Sequence, residues 1–266
     1  MRGLLDRLRE PGSDSLDLDG AARLEWHRSV LARKRMTREV FLECHALLRL
    51  LDQQYLTGEG LAIEVGAGAA PMQDRDPAVV SADVVYGPHL DCVLDAQRIG
   101  LRASSLRVLY AQNAFHHFPK PERFFGELER VLSPGGGAVL LDPFYGPAAT
   151  FLFKRLFRSE GFDKTYPSWE TPAVGPMNGA NQALSYVVFV RDRERFEARF
   201  PSLRIVHSEP VGNYLRYLVS GGLNFRQLLP DRTIPALRLL ERVSSPLRRL
   251  FALHHVIVLK KCEPGA

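Results

Sequence analysis

The sequence predicts an α/β fold built on a doubly wound, mostly parallel sheet, and three observations carry that prediction. Between Leu61 and Phe144, short apolar runs alternate with helical or turn segments, the pattern of strands covered on both faces. The first run ends in a glycine-rich turn within "LAIEVGAGAAPM", Leu61 to Met72. Asp83, Asp95 and Asn113 then close or follow the next three runs. In open parallel sheets ligands gather outside the carboxyl ends of the strands, so these residues are expected around one pocket.

The elements follow in order. From Ala21 to Leu56 apolar residues recur at helical spacing until Gly58 and Gly60, which predicts one or two amphipathic helices. Strands are expected near 61–65, 79–83, 91–94, 106–111 and 137–142. Between the last two, "KPERFFGELERVLSPGGG" has proline in its first turn, Phe124, Leu128 and Val131/Leu132 on one face, and a stop at Pro134 and the glycines. After Asp142 the chain is mixed, with a charged helix at Arg191 to Phe200, late strands near 203–209 and 252–260, and a helical stretch from Ile234 to Leu250. The expected organisation is a single domain over 1–266: an N-terminal helical cap (1–57), a core (58–145), cap insertions (146–202 and 210–250) and the two late strands.

Composition narrows the function classes. The net charge of +5 over 266 residues comes mostly from arginine, with only six lysines, and the arginines alternate with acids as in "RDRERFEARF". That describes a solvated, salt-bridged face, and the absence of a concentrated basic run argues against nucleic acid as partner. Three cysteines, Cys44, Cys92 and Cys262, form no CxxC pair and no His/Cys metal spacing, so no metal and a reducing, cytoplasmic setting are expected. No apolar run is long enough to cross a bilayer.

A dinucleotide would require GxGxxG running into a helix, whereas this loop reads GxGxxP with Glu64 two residues before the first glycine, where like charge would oppose a pyrophosphate. A cationic ligand carrying a ribose suits these residues better. Here the chain resembles class I S-adenosylmethionine-dependent methyltransferases, in particular the type 11 group. "IEVGAGAAP" resembles their first motif, "SAD" their ribose-binding acid, "DCVLDAQRIGL" their adenine-contacting turn, "VLYAQNAFHHF" their fourth strand, and "ELERVLSPGGGAVLLDPF" their helix and fifth strand. The resemblance spans Leu61 to about Tyr145 and implies a seven-stranded Rossmann-like sheet whose last strand is antiparallel, with S-adenosylmethionine as cofactor.

It further implies that Asp83, with Val84 beside it, accepts the ribose hydroxyls, that Asp95 and Ala96 meet the adenine, that Glu64, Gly66, Ala67 and Gly68 face the methionine part, and that Asn113 and Ala114 flank the sulfonium. This chain departs from the pattern between the glycine loop and the second strand. Only about ten residues, with Pro71 and Pro77 among them, connect the two, so the usual first helix is expected to be shortened or missing.

Methyl transfer asks the protein mainly for alignment, and for a base only where the nucleophile must lose a proton. His116 and His117, just beyond the fourth strand, are the candidate catalytic bases, against a packing role for the same pair. Asn178, Asn181 and Gln182 suit an acceptor pocket. Residues 149–162, aromatic and basic, are a candidate lid or peripheral membrane or lipid contact, against ordinary core packing. The expected reaction is O-methylation of a small molecule. The alternatives are an RNA or lipid-linked substrate, an NAD(P)-dependent oxidoreductase on the same sheet, and a non-catalytic cofactor-binding protein.

Overall fold

The computed structural model describes residues 7–13, 17, 19–155, 160–175 and 179–262. Seven strands form one sheet: β1 (Leu61–Val65), β2 (Val79–Asp83), β3 (Cys92–Val93), β4 (Leu106–Gln112), β5 (Leu132–Pro143), β6 (Leu203–Pro210) and β7 (His254–Lys261). Their order is β3-β2-β1-β4-β5-β7-β6. The first five are parallel, and β7 runs antiparallel to both β5 and β6. The chain winds outward from β1 to β3 and then returns to lay β4 against β1, with Val65 beside Ala111. That reversal opens the crevice in which such sheets bind ligands.

Helices α1 (Ala21–Arg33) and α2 (Arg35–Tyr55) are separated at Lys34, whose backbone is extended (φ −98°, ψ 91°). The others are α3 (Pro121–Val131), α4 (Pro147–Arg155), α5 (Arg193–Arg199), α6 (Tyr214–Ser220), α7 (Ile234–Val243) and α8 (Arg248–Phe251). Between β1 and β2 there is only a single 3-10 turn, Met72–Asp74, as Pro71 and Pro77 led one to expect. Two elements differ from the sequence prediction. α3 stops at Val131 because Leu132 is already extended (ψ 137°), and β5 starts there rather than near 137. The helical stretch from Ile234 breaks after Val243, where Pro246 lacks the N–H that would continue it.

Alternation along each strand sends side chains to two cores. Ile63, Val65, Leu109, Ala111, Ala138 and Leu140 pack under α3 in a cluster rich in phenylalanine. There Phe125 contacts the rings of Phe115, Trp169, Phe189, Phe196 and Phe200. On the other face Ala62, Val108, Tyr110, Val139 and Val258 meet Val40, Leu48 and Leu51 of α2. The buried Asp52 fastens α2 to β4, accepting from Arg107 Nη2 at 2.9 Å and from the Tyr110 hydroxyl. A buried carboxylate needs such partners, because its desolvation is otherwise uncompensated. Among the described residues no helix is long and apolar enough to cross a membrane.

Candidate active site

Residues predicted from the strand ends do come together. Gly66 and Gly68 have φ of 62° and 55°, the left-handed region that glycine adopts freely. A Cβ on Gly66 would lie 2.5 Å from the Ala114 Cβ, so the loop after β1 and the exit from β4 touch only because that side chain is missing. Asp83 is buried; its Oδ2 accepts the Gly68 N–H at 3.0 Å and its Oδ1 the Val85 N–H at 3.0 Å, which leaves a lone pair free on each oxygen. Val84 is exposed beside it. Asp95 is exposed and holds the turn by accepting the Gln97 N–H at 2.8 Å, with Ala96 buried behind. Asn113 also has positive φ (53°), and its Oδ1 is buried without a partner. Asparagine tolerates this conformation better than other side chains, yet the combination is costly and is characteristic of working sites.

Glu64, expected to face the methionine part, also holds its own loop. It is 1% exposed, and its Oε2 accepts the Met72 N–H at 2.7 Å. Burial pushes its carboxyl up to about 8. Within this arrangement Glu64 ties the two ends of the shortened loop together, a task the missing helix would otherwise perform.

α1 lies across this loop. Arg28 Nη1 donates to the Ala69 carbonyl at 3.3 Å and pairs with Asp74 at 3.1 Å. The same helix carries Arg23 inward. Its side chain is buried, its Nε has no hydrogen-bond partner, and the acids that bear on it electrostatically are Asp83, Asp19, Glu160 and Asp17. Burial lowers its proton affinity, with Asp83 the main opposing influence. Burying a guanidinium whose Nε makes no hydrogen bond is costly by desolvation, a cost that an anionic ligand group would offset.

Beyond Ala114 the site changes character. His116 Nδ1 lies 2.7 Å from Asp142 Oδ1 at the end of β5, and its Nε2 lies 3.3 Å from Glu160 Oε2. Burial alone would lower the imidazole, but Asp142 and Glu160 outweigh it and push it up to about 10. Glu160, which burial would raise, is held down to about 2 by His116, His117 and Gln182. His116 is therefore held on both nitrogens between Asp142 and Glu160, while burial pushes the Asp142 carboxyl itself up. The ring of His117 stands 4.1 Å from that of His116, its Nε2 is 3.9 Å from Glu160, and its Nδ1 is buried without a partner. Burial and the neighbouring imidazolium lower it to about 3, so it is neutral. The segment after Glu160 closes over this group: Gln182 Nε2 donates to Glu160 Oε2 at 3.0 Å, and the Asn181 N–H to the His116 carbonyl at 3.4 Å. Asn178 lies outside the described residues.

One nitrogen from each of His116 and His117 and one oxygen of Glu160 lie within 4.8 Å of one another, a donor set that could hold a divalent metal although none was expected from the sequence. Glu160 Oε2 already receives Gln182 and His116, so His116 and Glu160 are joined as a hydrogen-bonded ion pair, while His117 Nε2 at 3.9 Å stands beyond hydrogen-bond reach. Arg23 and Glu160 escaped sequence reasoning because each comes from outside the sheet core. The one available signal for Arg23 was a charge at the third position of an otherwise amphipathic helix, which reads equally well as a solvated face.

Residues 70–140 match the family model described as a methyltransferase domain. The match begins just past Gly68 and spans Asp83, Asp95, Asn113, His116 and His117. No curated protein matches the sequence. Among solved structures the chain is similar to a geranyl diphosphate C-methyltransferase from Streptomyces coelicolor A3(2), at 11% identity over 85% of this chain and 82% of that one, with a TM-score of 0.49. It is similar to an S-adenosylmethionine-dependent methyltransferase from Mesorhizobium loti, at 16% identity over 81% and 96%, with a TM-score of 0.44. It is also similar to phosphoethanolamine N-methyltransferase 2 from Haemonchus contortus, at 9% identity over 81% and 51%, with a TM-score of 0.44.

Proposed function

We propose that this chain, a class I S-adenosylmethionine-dependent methyltransferase by its strand order and its methyltransferase-domain segment, methylates an oxygen of a small-molecule acceptor. The observation that carries the assignment of the site is Asp83. It is a buried carboxylate with free lone pairs, fixed by the glycine loop, and it faces an unpartnered arginine. Asp83 accepts the ribose hydroxyls through charge-assisted hydrogen bonds, with Val84 alongside. Asp95 accepts the adenine amino group beside Ala96. Gly66, Ala67 and Gly68 bring backbone close to the methionine part, while Glu64 holds that loop from behind. Asn113 and Ala114 border the sulfonium, and Arg23 receives the methionine carboxylate.

The cofactor supplies a methyl group on a positively charged sulfur. The chain's own residues align the acceptor oxygen and manage its proton. His116, already charged and bonded on both nitrogens, orients the cluster. His117 is the neutral member with a free lone pair on Nδ1, and it takes the acceptor's proton, with anionic Glu160 raising its basicity.

The test is incubation of the purified chain with methyl-labelled cofactor and a small-molecule extract, with mass spectrometry of the products. Label on an oxygen of a small molecule is expected. Label confined to RNA or protein would overturn the acceptor class, and label on nitrogen or carbon would overturn the position.

A further inference from the structure

α7 has two apolar faces where a surface helix needs one. Ile234 and Leu237 face inward against Met36, and Glu241 is buried with Arg216 Nε at 2.7 Å. Leu239, Leu240 and Val243 are more than half exposed, Val243 by 70%. At 3.6 residues per turn these three point roughly 145° away from the buried three. The stripe continues past the break at Ser244 through Leu247, Leu250 and Phe251, all exposed. α8 packs on α4, which adds Phe151, 63% exposed. Scattered exposed apolar residues are ordinary, but a contiguous run of this size marks a surface that something covers.

The charge around the stripe says what covers it. Residues 232–251 hold five arginines and a single acid, Glu241, which is internal. Arg238 pairs with Glu39 and Glu43, and Arg248 with Glu209. Arg242 and Arg249 are exposed and make no ion pair among the described residues. Exposed Lys154 and Arg155 lie at the end of α4. An apolar stripe rimmed by arginine is complementary to an anionic lipid surface, where leucines enter the acyl boundary and guanidinium groups stay among the phosphates.

We propose that the α7–α8 face, with Phe151 of α4, docks the protein on anionic bilayers. A second copy of the chain would present the same arginines to themselves and is disfavoured by charge. The cavity of about 480 Å³ lined by Tyr145, Phe151, Lys154 and Lys164 lies beside this face, three residues along the chain from Asp142. Of residues 149–162, singled out in the sequence for lipid contact, Phe151, Lys154 and Arg155 thus contribute one edge of the surface; the larger part lies in 234–251.

The test is co-sedimentation with vesicles of phosphatidylcholine alone and of phosphatidylcholine with phosphatidylglycerol, run on the wild type, on Leu240→Asp with Val243→Asp, and on Arg242→Glu with Arg249→Glu. All four positions are exposed, so the melting temperature and its shift with S-adenosylhomocysteine serve as controls for folding and for the cofactor site. Binding to anionic vesicles at least tenfold stronger than to neutral ones, lost in both variants, is expected. Absence of wild-type binding, or binding unchanged in the variants, would overturn the proposal. So would a wild-type dimer in solution that the leucine variant dissociates. No melting-temperature shift of the wild type with S-adenosylhomocysteine, with vesicle binding intact, would overturn the cofactor site alone.

Discussion

The parts of the site before and after Ala114 are built by different means. Before it, the groups are backbone amides and single acids at strand ends, fixed by backbone N–H groups of their own turn or of the neighbouring loop: Asp83 by Val85 and by Gly68, Asp95 by Gln97. After it, the working groups are buried charges drawn from three distant segments, with His116 held by Asp142 and by Glu160. On the proposed function, the first construction meets the cofactor, the part of the reaction that does not vary with the acceptor. The second gathers its members through the cap and so belongs to whichever acceptor this chain serves.

That contrast has measurable consequences. Removing one member of the buried set should cost most: Asp142→Ala leaves His116 with half its counter-charge, and a loss of about 3–5 kcal/mol is expected in a denaturant titration. A loss under about 1 kcal/mol would show that the cluster is not held by charge. Next is chemistry. His117→Ala should lower kcat roughly 100-fold with little change in KM for the cofactor, the usual scale for a general base. Full activity in that variant would make His117 a packing residue.

The loop offers a smaller effect. Gly66→Ala forces both a Cβ contact with Ala114 and a left-handed alanine, so about 1–3 kcal/mol of stability should be lost, visible as a lower melting temperature. An unchanged value would mean that the loop and the β4 exit separate easily.

A titration of stability separates the two kinds of histidine by pH. Burial holds His27 and His45 down to about 4, and His117, His254 and His255 down to about 3. The unfolded chain binds more protons at these five sites, so stability should fall as pH drops below about 6.5. His116 is raised to about 10, so its contribution is complete below about 6.5 and lost as pH rises through 10. Glu64, raised to about 8, and Cys44, raised to about 11, also contribute stability that is lost as pH rises. Melting temperature against pH should therefore slope down on both sides, and His116→Ala should reduce the alkaline slope without abolishing it. An alkaline slope unchanged in this variant would assign it to those other groups.

The same contrast explains what could be read from the residues alone. The strand-end acids were legible because a short apolar run closed by a turn announces the end of a strand covered on both faces, while the antiparallel last strand was implied by the family resemblance. The missing helix after β1 was legible in Pro71 and Pro77. Glu64 was legible as a position but not as an orientation, since which way a carboxylate at a strand end points depends on the loop that folds back to Met72. His116 and His117 look alike in sequence, and only the placement of Asp142 and Glu160 makes one a cation and the other neutral. Arg23 and the second apolar face of α7 were hidden because helical periodicity does not say what a helix packs against.

The account rests on Asp83 and Arg23 holding one ligand between them. Calorimetric titration of S-adenosylhomocysteine into the wild type, Asp83→Ala and Arg23→Ala tests this most directly, with the ligand-free melting temperature of each recorded alongside. The predicted result is wild-type binding, a loss of about 100-fold in Asp83→Ala and about tenfold in Arg23→Ala, as expected for charge-assisted hydrogen bonds. Ligand-free Arg23→Ala should melt no lower than the wild type, because it sheds an unpartnered buried charge. Unchanged affinity in Asp83→Ala would contradict the site, and unchanged affinity with a lower melting temperature in Arg23→Ala would make that arginine structural.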